Sequence, residues 1–293
     1  MTAVRDVLNE ARNHLYRGQR DERDKLATAL TDTTTSTVVS TYSLLKPRSR
    51  ICIGLEDMYV WSLASATATV DRGQFGTTAA THAAGDVISV NPYVSDAELL
   101  SALNRELQAL SAEGLYRVAT LDRTYSASTV GYDLVASFNE VHALWWEDAG
   151  LTSDYHPITA YTVARSMPTD DFPSSTALLI HDAIRPGATI RIQYKAGFNA
   201  VSTLVQDVEG ISGIHPEAIG LLAVGTALRV AAGKPMRRAN VEGQGNARRA
   251  EEVSVSDTIS APGPLRVLRR DLLAAEVTRL SRRYPVTLKT RAM

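Results

Sequence analysis

The order of helical and strand-forming segments limits the fold of this chain more than any other feature. Four segments have the three- and four-residue spacing of apolar side chains that is typical of amphipathic helices, and two long stretches between them are rich in β-branched and turn residues. Helices do not alternate with single strands, as a parallel doubly wound sheet requires. The sequence therefore predicts an α+β fold, in which a discontinuous bundle of four helices carries two inserted antiparallel β-blocks, each a small sandwich or barrel.

Domain boundaries follow from this order. The helical bundle is expected to come from three separate parts of the chain, which are residues 1–30, 96–113 and 214–284. The two β-blocks are expected over residues 31–94 and 115–202. Glycine, serine and charged residues dominate residues 234–263, so we expect a flexible loop there, and residues 285–293 form a C-terminal tail.

The clearest helix follows Ser95. Ser95 and Glu98 stand three residues apart, which is the spacing of a capping box, and Gly114 provides a stop signal. Its predicted buried face consists of Leu99, Leu103, Leu107 and Leu110. The first helix is expected to bury Val4, Leu8, Ala11 and Leu15. The last is expected to bury Leu265, Leu268, Leu272, Ala275 and Leu280.

Three further segments carry structural predictions. The charge-dense residues 17–25, "RGQRDERDK", are either an exposed continuation of the first helix or a loop. A helix from Pro216 to Gly233 is thin, because glycine and alanine are frequent in it, so another backbone can approach closely. Polar and apolar residues alternate from Thr189 to Lys195, which predicts a half-buried strand.

Charge is distributed unevenly along the chain. The formal net charge is −1, but the residues from Arg229 onward contain 14 Lys and Arg against 6 Asp and Glu. This basic end is either a contact surface for nucleic acid or an acidic protein, or a solvated helix studded with arginine. Cys52 is the only cysteine, which excludes an internal disulfide framework and a thiolate-rich metal site. The sequence contains neither a candidate membrane helix nor a secretion signal.

Motifs for catalysis are missing from the sequence. A Ser elbow, a P-loop and a metal-binding histidine spacing do not occur, so we expect no catalytic, metal or cofactor site. The most site-like segment, "HALWWEDAG", begins at His142, but neighbouring Trp145 and Trp146 would point to opposite faces of a strand. Asp170 and Asp171 lie in a turn-rich segment typical of surface acids. A cell-wall hydrolase with His142 and Glu147 at its site remains an alternative, and a DNA-binding regulator lacks a recognisable helix-turn-helix.

One segment, "TVDRGQFGTTAATHAAGDVI", predicts a contact loop. Glycine permits a positive φ that other residues avoid, and the small side chains around it allow another chain to come close. We expect the loop to lie against another subunit. The predicted interface residues are Arg72, Gly73, Gly76, Thr77, Thr78 and His82.

The same segment resembles a pattern of virion proteins of long-tailed bacteriophages, in which a strand pair ends in Arg-Gly and is followed by Gly-Thr, small residues and a histidine. The C-terminal third, "IRIQYKAGF" followed by a helix, an arginine-rich loop and a last helix, resembles the head-to-tail connector or adaptor of the phage neck. This resemblance implies a structural protein of the virion, located at the head-tail junction and made in the host cytoplasm.

The resemblance also implies partners. An adaptor forms a homo-oligomeric ring, twelve-fold in this class, around the DNA channel. It contacts the portal protein, a stopper or tail-completion protein and the passing genomic DNA, and no membrane. The residues expected to touch the portal or the DNA are Arg237, Arg238, Arg248, Arg249, Arg269 and Arg270. The alternative is a structural protein of the baseplate or tail tip.

Overall fold

The computed structural model describes residues 3–16, 21–32, 37–41, 44–147, 154–206, 214–215, 218–233 and 262–284. The chain folds as two compact units, and both are discontinuous in sequence. Unit 1 comprises Met1–Leu107 and Ala200–Ala275, and unit 2 comprises Gln108–Asn199 and Glu276–Met293. The described residues form four helices and thirteen strands, which confirms the predicted α+β class.

The four helices lie in the predicted segments. They are α1 (Val4–Tyr16), α2 (Asp96–Ala112), α3 (Ile219–Gly233) and α4 (Pro262–Arg283). α1 packs against α3 and buries Val4, Val7, Leu8 and Ala11 completely, whereas Leu15 is half-buried. Arg12 of α1 pairs with Asp96 of α2. The bundle is therefore assembled from helices that are far apart in the sequence.

α2 begins and ends as predicted. The Glu98 N–H donates to the Ser95 side chain at 3.2 Å, and the four leucines of the predicted face are buried. The helix ends before Gly114, which has a φ of +91°, and the Leu115 N–H returns to the Leu110 carbonyl at 3.0 Å. Local signals alone were sufficient for this element.

The first β-block is a closed sheet in unit 1. Its strands are β1 (Glu22–Lys25), β2 (Thr37–Val39), β3 (Arg50–Ile53), β4 (Glu56–Ala64), β5 (Thr67–Asp71) and β6 (Val87–Val90). All neighbours pair antiparallel in the order β1-β6-β3-β4-β5-β2. The two outer strands meet where Leu26 bridges Ser40 and the Ala27 N–H donates to the Val39 carbonyl at 2.8 Å. The sheet thus closes into a small barrel around an apolar core.

For residues 17–25 the sequence predicted a helix continuation or a loop; β1 corrects this for Glu22–Lys25, and residues 17–20 lie outside the described part. Arg23 and Lys25 are exposed while Asp24 is buried between them. The Asp24 carboxylate accepts from the Ser40 hydroxyl at 2.6 Å and from the Leu44 N–H at 2.9 Å. A carboxylate occupies the one buried position of this strand, so the pattern of apolar residues could not reveal the strand.

The second β-block is a sandwich in unit 2. Its strands are β7 (Arg117–Thr124), β8 (Tyr132–Asp133), β9 (Phe138–Glu147), β10 (Tyr155–Pro157), β11 (Tyr161–Arg165), β12 (Thr176–Ile180) and β13 (Thr189–Ala196). They form one sheet in the order β10-β9-β13-β7 and a second in the order β11-β12-β8. The sheets share one apolar core. β13 buries Ile190, Ile192 and Tyr194, as its alternation predicted.

α4 differs from its prediction. Leu280 is buried and Leu265 and Leu272 are half-buried, but Leu268 and Ala275 are exposed. Polar side chains, those of Arg269 and Glu276, take inward positions on this helix, so a pattern of apolar residues alone placed the buried face wrongly. Of the predicted loop over residues 234–263, Pro262 and Gly263 belong to α4, and the other residues lie outside the described part, as does the predicted tail, residues 285–293.

Candidate functional site

The segment from Arg72 to His82, here the Arg72–His82 loop, closes around a buried carboxylate. Glu56, the first residue of β4, is fully buried. Its oxygens accept hydrogen bonds from Arg72 Nε at 2.9 Å, Arg72 Nη2 at 2.6 Å and His82 Nε2 at 2.8 Å. The backbone N–H groups of Gly73 and Ala80 donate to the same carboxylate at 3.1 and 3.0 Å. One side chain therefore holds both ends of the loop.

These contacts decide the ionisation of Glu56. Burial by itself would raise the pKa of this carboxyl, but the hydrogen bonds from His82, Arg72 and the Ala80 N–H outweigh it and lower the pKa to about 2. Glu56 is consequently a carboxylate over the ordinary pH range. A group so strongly held in one charge state is suited to positioning a loop and unsuited to general acid-base catalysis.

The middle of the loop is held by its own hydrogen bonds. The Thr77 hydroxyl donates to the Gln74 carbonyl at 2.8 Å and accepts from the Asp57 N–H at 3.0 Å. Gly73 and Gly76 have φ values of +62° and +82°, as the sequence predicted. A Cβ at Gly73 would lie 3.3 Å from the Thr77 carbonyl oxygen. Loop shape thus depends on glycine in a crowded turn.

The predicted interface residues of this loop face two directions. Arg72 and His82 point inward, with 8% and 7% of their side chains exposed, and Thr77 is bonded within the loop. Gly76 and Thr78 are exposed, together with Phe75, which was not predicted. A subunit contact through the loop stays a prediction, and Phe75, Gly76 and Thr78 are the residues that could make it.

Phe75 is supported by a charged cluster beneath it. Arg50 of β3 donates to Asp57, to Ser95 Oγ at 2.9 Å and to Glu98 Oε1 at 2.9 Å. Its guanidinium carbon lies 4.6 Å from the centroid of the Phe75 ring. Burial by itself would lower the pKa of Arg50, but the hydrogen bonds to Asp57 and Glu98 raise it. The Phe75 ring consequently lies at the surface over a guanidinium group that stays charged.

An open cleft of about 430 Å³ lies beside Phe75 in unit 1. The loop forms one side, and the residues of α2 and α3 form the others. The side chains that give the cleft its character are Phe75, Glu98, Ser101, Arg105, Arg229 and Val230. Its volume is within the range of small ligand pockets and is enough for one or two side chains of a partner.

A second buried carboxylate lies next to this cleft. Glu106 of α2 accepts from Arg229 Nε of α3 at 2.5 Å and from Arg269 Nε of α4 at 2.6 Å. Gly225 makes room for it, because a Cβ there would overlap the Glu106 carboxylate. The sequence predicted a close backbone approach along this thin helix, and at Gly225 a side chain uses the space instead.

The predicted portal and DNA contacts are only partly described. Arg269 is bound to Glu106, with 14% of its side chain exposed. Arg270 is 76% exposed, and its Nε lies 3.4 Å from Asp271. Arg237, Arg238, Arg248 and Arg249 lie outside the described residues. Of the six arginines predicted, Arg270 is therefore the one that the structure places at the surface.

The residues that were considered for catalysis take part in packing and strand pairing. The ring centroids of Trp146 and His156 lie 4.5 Å apart, and Trp146 packs against the core. Trp145 lies opposite Arg191 in the pairing of β9 with β13, and its side chain is on the other face of the strand, as predicted. The His142 ring packs edge-on against Tyr284, and burial, with the nearby charge of Lys195, lowers the pKa of His142.

The environments of Cys52, Asp170 and Asp171 do not favour chemical reactivity either. Burial and the neighbouring Asp57 raise the pKa of the Cys52 thiol, so the reactive thiolate is disfavoured. Asp170 and Asp171 are exposed, as expected of surface acids.

Within the described ranges no group of three His, Cys, Asp or Glu residues could hold a metal ion. In the same part of the chain, no helix is both long and apolar enough to span a membrane.

Glu56 and Glu106 were not predicted from the sequence as site residues. The available signals were indirect: a glutamate at the start of an apolar strand, and Gly225 inside an otherwise apolar helix. Their cationic partners are 16 to 163 residues away in the chain, so spacing could not identify them.

No family model matches the chain, and no curated protein matches it significantly. The surfaces described above are therefore interpreted from their own geometry.

Proposed function

We propose that this protein is a structural head-to-tail adaptor of a long-tailed bacteriophage. In this proposal, copies of the chain form a ring between the portal and the stopper or tail, around the DNA channel. The resemblance of the Arg72–His82 loop and of the C-terminal third to virion proteins motivates the proposal. The outer face of α4 is the observation that carries it.

The outer face of α4 has the composition of a protein-binding surface. Val267 and Leu268 are 52% and 41% exposed, and Val277 is 40% exposed. Arg266 and Arg270 are exposed among them. Arginine is enriched at protein interfaces, and exposed apolar residues are stabilised when a partner covers them. An acidic surface on the portal would complement this face.

The interior of unit 1 supports a rigid, load-carrying role. Glu56 holds the Arg72–His82 loop, and Glu106 joins three helices through Arg229 and Arg269. Buried carboxylates satisfied in this way specify one arrangement of the elements around them. Such rigidity fits a component that positions neighbouring proteins.

Binding to the cognate portal is the direct test. The variant Arg266→Glu/Arg270→Glu reverses two exposed charges and leaves Arg269 with Glu106. We expect co-sedimentation with purified portal rings to fall by about tenfold or more. The control, Arg23→Glu, reverses one exposed charge on β1, away from α4 in the sequence. Circular dichroism should show both variants folded, and unchanged portal binding by the α4 variant would contradict the proposal.

Labelling of particles separates the adaptor from the alternative. An antibody against a tag on this protein, detected with gold under negative stain, should mark the head-tail junction. Label at the distal tip would instead support a baseplate or tail-tip protein, for which the β-barrel and the sandwich would be the principal parts. Denatured particles should be blotted in parallel, since a protein missing from them is not a virion component.

A further inference from the structure

The cleft beside Phe75 has a cationic wall with unused donors. Arg105 is exposed on α2 and forms no ion pair with any described residue. Arg229 bonds Glu106 through Nε, and its two Nη atoms bond no described residue. Glu106 is shared with Arg269, so one carboxylate faces two guanidinium groups. Asp57 and Glu98, which also line the cleft, are both paired with Arg50, so the described groups around it carry one more positive charge than negative charge and can bind a carboxylate.

The rest of the cleft favours a protein segment over nucleic acid. Phe75 is 62% exposed at its rim, and Val230 contributes apolar surface. Glu98, with 31% of its side chain exposed, is paired with Arg50 at 2.9 Å, which leaves Arg105 as the cation in the cleft that has no described ion-pair partner. The volume of about 430 Å³ admits one or two side chains. The matching ligand is an acidic turn with a neighbouring apolar residue.

Unit 2 of the same chain has such a turn. The segment Met167–Ser175, here the acidic tip, connects β11 and β12. It is closed by the Met167 N–H, which donates to the Ser175 carbonyl at 3.0 Å. Asp170 and Asp171 are exposed at this tip and form no ion pair with described residues.

The acidic tip is preformed and has an apolar neighbour. The Phe172 N–H donates to the Pro168 carbonyl at 3.0 Å, and a Cβ at Gly131 would lie 3.3 Å from the Phe172 ring. Val130, next to Gly131, is 86% exposed. A preformed turn loses little conformational entropy when it binds. The acidic tip thus has the chemistry that the cleft would accept.

We propose that the acidic tip of one copy binds in the cationic cleft of a second copy, with Asp170 and Asp171 paired to Arg105 and Arg229. The tip and the cleft are different surfaces, so this contact is heterologous and can repeat from copy to copy, as the contacts of a ring do. The inference rests on the proposed function, because it names the contact between neighbouring copies of the ring.

Complementary charge reversals test this contact in the full chain. The cleft variant is Arg105→Glu, which leaves Arg229 with Glu106. The tip variant is Asp170→Lys/Asp171→Lys. Sedimentation equilibrium should show that the wild type self-associates, and that each variant alone associates about tenfold or more weakly. An equimolar mixture of the two should recover association, since each variant then supplies the charge that the other needs.

Controls and contrary outcomes are distinct from those of the portal test. Arg23→Glu and Asp32→Lys change exposed charges that neither line the cleft nor belong to the acidic tip, and both variants should associate as the wild type does. A wild type that remains monomeric, single variants that associate normally, or a mixture without recovery would each overturn the inference. Loss of duplex DNA binding in Arg105→Glu, without loss of self-association, would assign the cleft to nucleic acid instead. Portal binding through α4 could persist in all of these cases.

Discussion

Glu56 and Glu106 are both buried carboxylates of unit 1, but they are neutralised in different ways. Glu56 is held by one arginine, one histidine and two backbone N–H groups, all from the loop that follows β5, the next strand along the chain. Glu106 is held by two arginines from two other helices. The first site shapes a loop, and the second joins elements that are far apart in the chain.

The two sites differ in how far the partners of the carboxylate can move when it is displaced. Backbone N–H groups cannot move without the loop itself, so the geometry around Glu56 is set by the chain path. Arginine side chains are long and can follow a displaced carboxylate, so the Glu106 site can adjust unless something blocks the carboxylate. Gly225, which leaves space for it, is the element that limits the second site.

Removal of Glu56 should have the largest effect. Glu56→Ala leaves Arg72 and His82 buried without their anion, and we expect the free energy of unfolding to fall by about 3–5 kcal/mol. Urea denaturation followed by circular dichroism measures this change. The matched control is Glu22→Ala, which removes an exposed carboxylate 3.7 Å from Lys46 and should cost less than about 1 kcal/mol. Equal losses in the two variants would contradict the role assigned to Glu56.

Acid should reproduce part of this loss in the unmodified protein. The pKa of Glu56 is about 2 in the folded chain against an ordinary value of 4.5, so folding favours the ionised form. The resulting stabilisation is complete above pH 4.5 and is lost as the pH falls toward 2. It amounts to about 3 kcal/mol. Urea midpoints measured across this range should decline less steeply in Glu56→Gln, and parallel curves would exclude Glu56 as the cause.

Filling the space at Gly225 should have a smaller effect. Gly225→Ala forces the Glu106 carboxylate away from its arginines, and we expect the free energy of unfolding to fall by about 2 kcal/mol. Gly220→Ala in the same helix is the control, because the nearest atom to its Cβ would be Glu10 Oε1 at 3.9 Å. That change should be neutral or stabilise by up to about 1 kcal/mol.

The double variant Gly225→Ala/Glu106→Ala sharpens this test. The three atoms nearest to the added methyl group all belong to the Glu106 side chain, so the two changes should cost less together than the sum of their separate costs. Thermal denaturation of the four proteins in the cycle measures the coupling. If the two losses of stability simply add, contact with Glu106 is not what requires glycine at position 225.

The sequence predicted elements whose determinants are local. α2 carried its cap, its leucine face and its stop residue within one segment, and β13 carried a complete alternation. β1 was missed because the buried Asp24 replaced the expected apolar residue, and its partners Ser40 and Leu44 are 16 and 20 residues away.

The charged clusters were beyond prediction for a related reason. Opposite charges attract wherever the fold brings them together, and the sequence spacing from Glu106 to Arg269 is 163 residues. Arg269 was predicted at an interface because arginines in a polar pattern indicate a surface, whereas the structure gives it an internal partner. The glycines of the Arg72–His82 loop were predicted because their backbone requirement is local.

The pairing of α1 with α3 has a consequence for synthesis of the protein on the ribosome. α1 is made early, but the helix it packs against begins at Ile219, after the whole of the barrel and the sandwich. Until then, Val4, Val7, Leu8 and Ala11 lack one of the helices that bury them in the folded chain. Unit 1 therefore completes its fold only after translation of the segment that builds the sandwich.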